Sequence, residues 1–294
     1  MNYSEWLKNN TEGLSGKLIA VTGTTGGLGR ELCAFLCELS ADLVLLDRNA
    51  QRSEALKNEL LTRFPYRKIS RITVDLEDVT SVISATEQLK ALPLDIFIHN
   101  AGAYSIPRHK CDTGFDNVFQ INFVSPMYMI RELLPTLRQQ NGKVVAVGSI
   151  AHNYSKTDRN DVDFSTRTAS SKIYGNAKQY LMFSLYELFK NEDTVKLSVV
   201  HPGITFTNIT AHYPKLIFAV IKHPMKVIFM KPKKAALCTI KGVFEETRYH
   251  QWIGPRLFNI WGLPSLKRLK TCSKDESLYI GQTADEIYLK IKDK

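Results

Sequence analysis

Between Lys17 and Gly203, short apolar runs alternate with polar-faced segments of helical length. The runs are rich in Val, Ile and Leu, and they predict strands at Lys17–Thr22, Asp42–Asp47, Ile69–Asp75, Asp95–His99, Lys143–Ser149 and Val195–His201. Stretches such as Leu43-Val44-Leu45-Leu46 and Val144-Val145-Ala146-Val147 carry no polar alternation. A strand of that kind is covered on both faces, as in a parallel sheet. Helices are predicted at Gly27–Leu39, Ala50–Phe64, Asp78–Leu89, near Gly114–Gln139 and at Lys172–Asn191. The expected fold is α/β, a doubly wound parallel sheet with helices on both faces. After Gly203 the alternation stops, and a basic, aromatic-bearing stretch reads as helical. It is expected to form a C-terminal helical substrate lid over the sheet's carboxyl edge, where open α/β sheets bind ligands. The chain reads as a single domain over 1–294, with a core at about 15–210 and the lid and C-terminal elaboration at 211–294.

Composition changes little in this picture. Hydrophobic residues make up 44% and charged residues 23%, enough apolar material for a core without disulfides or a structural metal. The five cysteines are odd in number and form no C-x-x-C pair, so no disulfide framework or metal site is expected. Cys33 and Cys37 stand at i,i+4 beside Leu32 and Leu36, which reads as core packing. The first sixteen residues lack the apolar run of a secretory signal, and Lys222, His223, Pro224 and Lys226 break Leu216–Met230 before it could span a bilayer. A cytoplasmic location is the expectation.

The charge is more telling. Net charge is +10. Tyr213 to Lys270 holds twelve Lys and Arg against Glu245 and Glu246, so this segment alone is worth +10. No nucleic-acid motif accompanies it, and no nucleic-acid partner is expected. The same surface admits peripheral contact with anionic lipid through 213–270, set against an ordinary solvated helix pair.

Candidate chemistry begins where the first strand ends. Thr22-Gly23-Thr24-Thr25-Gly26-Gly27-Leu28-Gly29 runs from that strand into a helix. Glycines at 23, 27 and 29 permit a tight turn and close backbone approach to a pyrophosphate, while the helix start offers unpaired N–H groups. Thr25 and Leu28 belong to the same Rossmann-like turn. The second strand ends in Asp47-Arg48. A carboxylate there accepts ribose hydroxyls and favours NAD, whereas a guanidinium can hold the extra phosphate of NADP. NAD is favoured on this pair, with NADP admitted by Arg48.

The spacing of that turn, with the motifs that follow it in order, resembles the short-chain dehydrogenase/reductase family over about residues 15 to 210. The matches are Asp75-Leu76 after the third strand, His99-Asn100-Ala101-Gly102 after the fourth and Asn122 beyond. Gly148-Ser149 closes the fifth, Tyr174-Gly175-Asn176-Ala177-Lys178 opens the next helix, and Pro202-Gly203-Ile204-Thr205-Phe206-Thr207 follows the sixth. The resemblance implies an alcohol–carbonyl oxidoreductase in which Tyr174 is the acid/base and Lys178 favours its phenolate and binds the nicotinamide ribose. Ser149 would hold the substrate oxygen and Asn122 a water relay. Asp75, Leu76, Asn100, Ala101, Gly102, Pro202, Gly203, Ile204, Thr205 and Thr207 would line the dinucleotide. His99, where the family usually has Asn, reads as a packing residue.

Tyr174 and Lys178 are one helical turn apart and share a face. A phenol titrates near ~10, so a neighbouring ammonium is needed before it can act as a base at neutral pH. Ser149 and Tyr174 are 25 positions apart, and the polar insert Asn153–Ser171 with its Asp163-Phe164 pair resembles the retinol-dehydrogenase-like and WW-domain-oxidoreductase-like branch. That branch implies a lipophilic alcohol or carbonyl substrate, and the family implies homo-oligomers through the helices near Gly114–Gln139 and Lys172–Asn191. Two alternatives stay open: a nucleotide-sugar epimerase or dehydratase, and a non-catalytic dinucleotide sensor or scaffold of the same fold.

Overall fold

The computed structural model describes residues 3–204, 230–270 and 272–293. The apolar runs become β1 (Leu18–Thr22), β2 (Asp42–Asp47), β3 (Ile69–Thr73), β4 (Ile96–His99), β5 (Lys143–Val147) and β6 (Lys196–Val200). They pair in parallel in the order β3-β2-β1-β4-β5-β6. Central strands β4 and β5 are buried at every position, as their unbroken apolar sequences require. β3 is the edge, and there Ser70 and Arg71 reach solvent.

The helices that cross between strands are α2 (Gly27–Glu38), α3 (Ala50–Arg63), α4 (Val79–Lys90) and α7 (Ser170–Leu188), preceded by a short α1 (Tyr3–Asn10). Asn49 and Asp78 cap α3 and α4 by accepting from the backbone N–H of Arg52 and Thr80. The long helix expected near Gly114–Gln139 is interrupted. It starts as α5 (Asn117–Phe119), widens into a π-helical turn over Gln120–Val124 and continues as α6 (Ser125–Gln139). Single π turns of this kind gather at functional sites, and Asn122 lies in this one.

Beyond Gly203 the all-helical expectation is corrected. α8 (Pro232–Phe244) packs on the sheet, with Ala236, Leu237, Ile240 and Val243 in the same apolar cluster as Val145 and Val200. β7 (Gln251–Leu257) then pairs with β6 in parallel through Val200 and Ile253, and β8 (Trp261–Arg268) returns antiparallel to it. The sheet therefore has eight strands among the described residues. Pro255, Gly262 and Pro264 hid these strands from pattern reading, yet a hairpin at the sheet's edge tolerates them. The expected lid's apolar run, Leu216 to Phe229, lies outside the described residues.

A last helix, α9 (Lys274–Lys292), covers the faces through which copies of the chain were expected to pair. Its Ile280, Ala284, Ile287 and Ile291 are buried in the cluster that holds Phe123 and Tyr128 beside α6 and Tyr180 on α7. Tyr288 lies 6.0 Å from Tyr128, ring centre to ring centre, and donates to Glu132. α9 thus covers part of α6 and α7 within the chain itself.

Candidate active site

The carboxyl ends of the parallel strands open into a cleft of about 960 Å³. One end is the turn between β1 and α2. Gly23 has φ +70°, and a Cβ there would lie 2.9 Å from Ala101 Cα. A Cβ on Gly29 would stand 2.2 Å from Gly23 O. The turn can thus be built only with glycine at these two places, and it leaves the backbone bare. α2 starts without a side-chain cap at Gly26, so its first N–H groups point into the cleft unpaired by any cap. That is the cradle a pyrophosphate needs, and the residues present fit a dinucleotide.

Asn100 and Thr22 lock this turn to β4. Asn100 Nδ2 donates to Thr22 O at 3.0 Å and Gly23 O at 3.1 Å, and the N–H groups of Asn100 and Ala101 both donate to Thr22 Oγ1 at 3.0 Å. The Thr22 hydroxyl also hydrogen-bonds His99 Nδ1, 3.2 Å away. His99 is fully buried, and burial together with the charge of Lys178 holds its pKa well below the usual histidine value. It is a neutral packing group, as its sequence context suggested.

Asp47 lines the cleft as expected, but its carboxylate already has partners. It is buried, and its two oxygens accept from Thr24 Oγ1, from Thr25 N at 3.0 Å and Oγ1 at 3.1 Å, and from Ser53 Oγ at 3.0 Å. The carboxylate is occupied in fastening the glycine turn to β2. Arg48 beside it is exposed and faces Glu77 at 3.4 Å and Asp75 at 3.9 Å. Glu77 also meets His109 Nε2 at 3.0 Å, from the loop on the opposite rim. Asp75 accepts from Glu77 N at 3.0 Å, and Leu76 O accepts from Ser125 Oγ at 2.7 Å.

Tyr174, Lys178 and Ser149 line the other end, while Asn122 is fully buried behind Gly102 and is not among the lining residues. Ser149 ends the strand run and caps a 3-10 turn over Ile150–Tyr154 by accepting from Ala151 N at 3.2 Å, and it stands near enough to Tyr174 to act on its phenol. Tyr174 is held edge-on by Tyr104, with ring centres 5.4 Å apart at 85°, and packs against the cluster of Val118, Phe164 and Ile173. The insert thus has a mechanical role, because buried Phe164 (φ +55°) is pinned by Arg108 Nη2 on its carbonyl at 2.9 Å. Burial raises the Tyr174 phenol to about 12, against a smaller downward pull from Ser149.

Lys178 is only 1% exposed. Its Nζ donates to Val147 O at 2.9 Å and stands 5.7 Å from the centre of the Tyr174 ring. Burial lowers its pKa to about 7. Asn122 Nδ2 donates to Ala103 O and Val118 O, both at 2.8 Å, while its Oδ1 accepts from Ala103 N at 3.3 Å. Those bonds draw the loop after β4 against the π turn. A Cβ on Gly102 would sit 2.9 Å from Asn122 Oδ1 and 3.6 Å from Lys178 Nζ, so glycine is what lets this loop pass over the lysine.

Of the expected dinucleotide residues, Gly23, Thr25, Gly27, Leu28, Gly29, Asp47, Arg48, Asp75, Leu76, Asn100, Ala101, Gly102, Pro202, Gly203 and Ile204 all line this one cleft. Thr205 and Thr207 lie outside the described residues. Several lining residues carried no signal in the sequence: Asn49, Arg52, Tyr104, Ile106, His109, Ile150, Tyr154 and His201. Most stand on loops whose course a local pattern does not encode. His201 stacks on Trp252 at 4.9 Å, and burial drives its pKa to about 3.

Comparison with known proteins agrees with this geometry. The family model described as short chain dehydrogenase matches residues 17–215. WW domain-containing oxidoreductase of Gallus gallus is 30% identical over 203 residues, which are 65% of this chain and 49% of that one. Polyprenol dehydrogenase of Homo sapiens is 24% identical over 207 residues, 67% of this chain and 63% of that one. The chain thus spans between about half and just under two thirds of the length of these two relatives. Among solved structures, an uncharacterised protein from Mycobacterium paratuberculosis superposes with a TM-score of 0.72 at 19% identity, covering 96% of this chain and 94% of that one. That likeness is one of fold.

Proposed function

The chain belongs to the short-chain dehydrogenase family, which binds NAD(P), and on that premise we propose that it interconverts an alcohol and a carbonyl with Tyr174 as acid/base. The observation that carries the reading is convergence. Tyr174, with Ser149 beside it and buried Lys178 one helical turn on, faces the same cleft as the glycine turn and the open start of α2.

When bound, the nicotinamide ring accepts or supplies the hydride. The chain's own residues handle the proton. With its phenol near 12, Tyr174 keeps its proton at neutral pH and can donate it to an oxygen that becomes negative as a carbonyl is reduced. The reverse direction requires the phenolate, and Lys178, 5.7 Å from the centre of the ring, is placed to favour it while it carries its proton. Burial limits that state to about pH 7 and below until a bound dinucleotide restores the charge. Ser149 is positioned to orient the substrate oxygen beside Tyr174. Lys178 and Asn122 would serve the nicotinamide ribose and a water relay, in keeping with their shared position under Gly102.

The substrate end is apolar and aromatic, with Tyr104, Ile106, Ile150 and Tyr154 on its walls, which suits a lipophilic alcohol or carbonyl. A panel of such compounds and of hydrophilic controls, assayed with both NAD(H) and NADP(H), tests the reading. Dinucleotide binding without turnover of any compound would instead favour the sensor.

We favour NAD over NADP, for a reason that shifts from Asp47 to its neighbours. Asp47 is committed to the turn, whereas Glu77 and Asp75 already face Arg48 and surround the ribose end with negative charge that disfavours a 2′-phosphate. Asp47→Ala is therefore expected to weaken NADH and NADPH together, by about tenfold or more, because four hydrogen bonds to the cradle are lost at once. Direct titration of both dinucleotides checks it. A selective gain for NADPH would return the ribose contact to Asp47.

A further inference from the structure

We propose that His152 is a positioning residue for the reaction, holding the backbone of Ser149 so that its hydroxyl faces the substrate oxygen. The proposal rests on the reading of Ser149 as the residue that orients that oxygen.

Spacing is the starting point. Ser149 has extended backbone, with φ −150° and ψ 144°, and the chain then tightens into the 3-10 turn over Ile150–Tyr154. Such a turn has about three residues per revolution, so the residue three positions on comes back over the one that starts it. His152 N–H donates to Ser149 O at 3.2 Å, and His152 Nδ1 lies 2.7 Å from the same oxygen. Ser149 Oγ meanwhile accepts from Ala151 N at 3.2 Å. Because Oγ accepts there, its own proton is left to donate to an oxygen in the cleft.

Other elements fix the ring in place. It is buried, and it meets Trp252 of β7 edge-on, with ring centres 5.5 Å apart at 86°. Phe183 of α7 lies against it at 6.4 Å and 62°. His152 Nε2 is 3.3 Å from Lys270 O, just beyond the end of β8. Both polar contacts of the ring are therefore with backbone carbonyls. A carbonyl oxygen can only accept, so each ring nitrogen can bond there only as a donor, and a neutral imidazole has a single N–H. Burial holds the His152 pKa below the usual histidine value, which leaves the ring neutral at pH 7. The shorter contact takes the proton. The neutral ring is thus the Nδ1–H tautomer, donating to Ser149 O while Trp252 and Phe183 hold its plane.

His152 does not itself line the cleft, whereas Ser149 does. Its influence on the chemistry passes through the turn that carries the serine.

The test compares the full chain with Ser149→Ala, His152→Phe, His152→Asn and the double variant of Ser149→Ala with His152→Phe. Turnover is followed as reduction of the panel aldehyde or ketone that wild type reduces fastest, at saturating dinucleotide. His152→Phe keeps a ring against Trp252 and Phe183 and loses the N–H. Its kcat is expected to fall about tenfold, the worth of one hydrogen bond, with dinucleotide affinity within about twofold. Asn carries its amide nitrogen as many bonds from the backbone as Nδ1, so His152→Asn should keep kcat within about threefold of wild type. It should nonetheless melt below His152→Phe, because it gives up the ring packing. A residue that served the fold alone would place activity and stability in the same order. Ser149→Ala is expected to lose about thirtyfold in kcat, and adding His152→Phe to it should cost nothing further.

Equal losses from His152→Phe with and without Ser149 overturn the proposal. A Ser149→Ala variant that collapses beside a fully active His152→Phe removes the proposal and leaves the reading of Ser149 standing. Normal turnover in Ser149→Ala removes both. Nitrogen-15 NMR of histidine-labelled wild type at pH 7 supplies a readout that needs no turnover, with the His152 signals assigned by their loss in His152→Phe. The Nδ1–H tautomer is expected, and finding Nε2–H instead overturns the proposal.

Discussion

Tyr174→Phe is expected to lower turnover by about two to four orders of magnitude, the usual worth of a positioned proton donor, while dinucleotide affinity stays within about twofold. Only one oxygen is removed. The ring keeps its edge-on contact with Tyr104 and its packing against Phe164 and Ile173, so no cavity forms and the cleft retains its shape. Ser149 does not substitute for the lost donor, because a serine hydroxyl can hydrogen-bond an oxygen but does not give up its proton near neutral pH. The pH dependence supplies a second readout. Wild-type alcohol oxidation should climb with pH, as the fraction of phenolate grows toward the Tyr174 value of about 12, whereas carbonyl reduction should not climb with it. Residual activity of the variant should lack that climb. Steady-state kinetics in both directions, with fluorescence titration of the dinucleotide, decide the matter. Retention of most of kcat would remove Tyr174 from the chemistry.

Lys178→Met should have the opposite signs on activity and stability. Turnover is expected to fall at least a hundredfold, on the order of a lost transition-state charge contact, and dinucleotide binding to weaken with it. The folded protein should nevertheless melt several degrees higher. Lys178 is buried with one hydrogen bond among the described residues, to Val147 O, and burial pulls its pKa from 10.5 to about 7. Between those two values the unfolded chain holds the proton and the folded chain does not, so wild-type stability rises with pH across that window. Below about pH 7 the folded chain must carry an ammonium in a poorly compensated place, and that cost, on the order of a few kcal/mol, is greatest there. Methionine fills similar volume without the charge. Melting curves from pH 6 to pH 10 should therefore show the largest gain for the variant at the acid end. Lys143, lowered by burial to about 8, adds a smaller rise of the same sign to both proteins. A variant less stable at pH 6 than wild type would show that Lys178 is needed for folding as well as for chemistry.

Both outcomes separate what is local in this protein from what is not. Most of the six parallel strands were legible because they are largely apolar runs, and such a run has nowhere to go but between two layers of helix. Edge strand β3 instead alternates Ile69 and Ile72 with Ser70 and Arg71. The observed β1 to β6 lie within the predicted ranges, and β2 matches its own end to end. The glycine turn, Tyr174 and Lys178 were legible for a similar reason: tight turns and one-turn helical spacing depend on neighbours only a few residues away. Where the deciding partner is distant, pattern reading failed. The β7–β8 strands were read as helix, since Pro255 and Pro264 mask them and their pairing partners are set by tertiary contact. Asp47 looked free to meet a ribose until Thr24, Thr25 and Ser53 closed on it.

The π turn that aims Asn122 at the loop after β4 carries no sequence mark, and neither does α9 lying along α6 and α7. The sequence by itself determined the order of strands and helices, the bare phosphate cradle and the spacing of the proposed acid/base pair, all of which follow from local periodicity and chain stiffness. Only the tertiary structure decided which carboxylates are occupied, how far Lys178 and Tyr174 are driven from their ordinary pKa values, and which apolar side chains stay in water. Those properties depend on desolvation and on contacts between segments far apart in the chain.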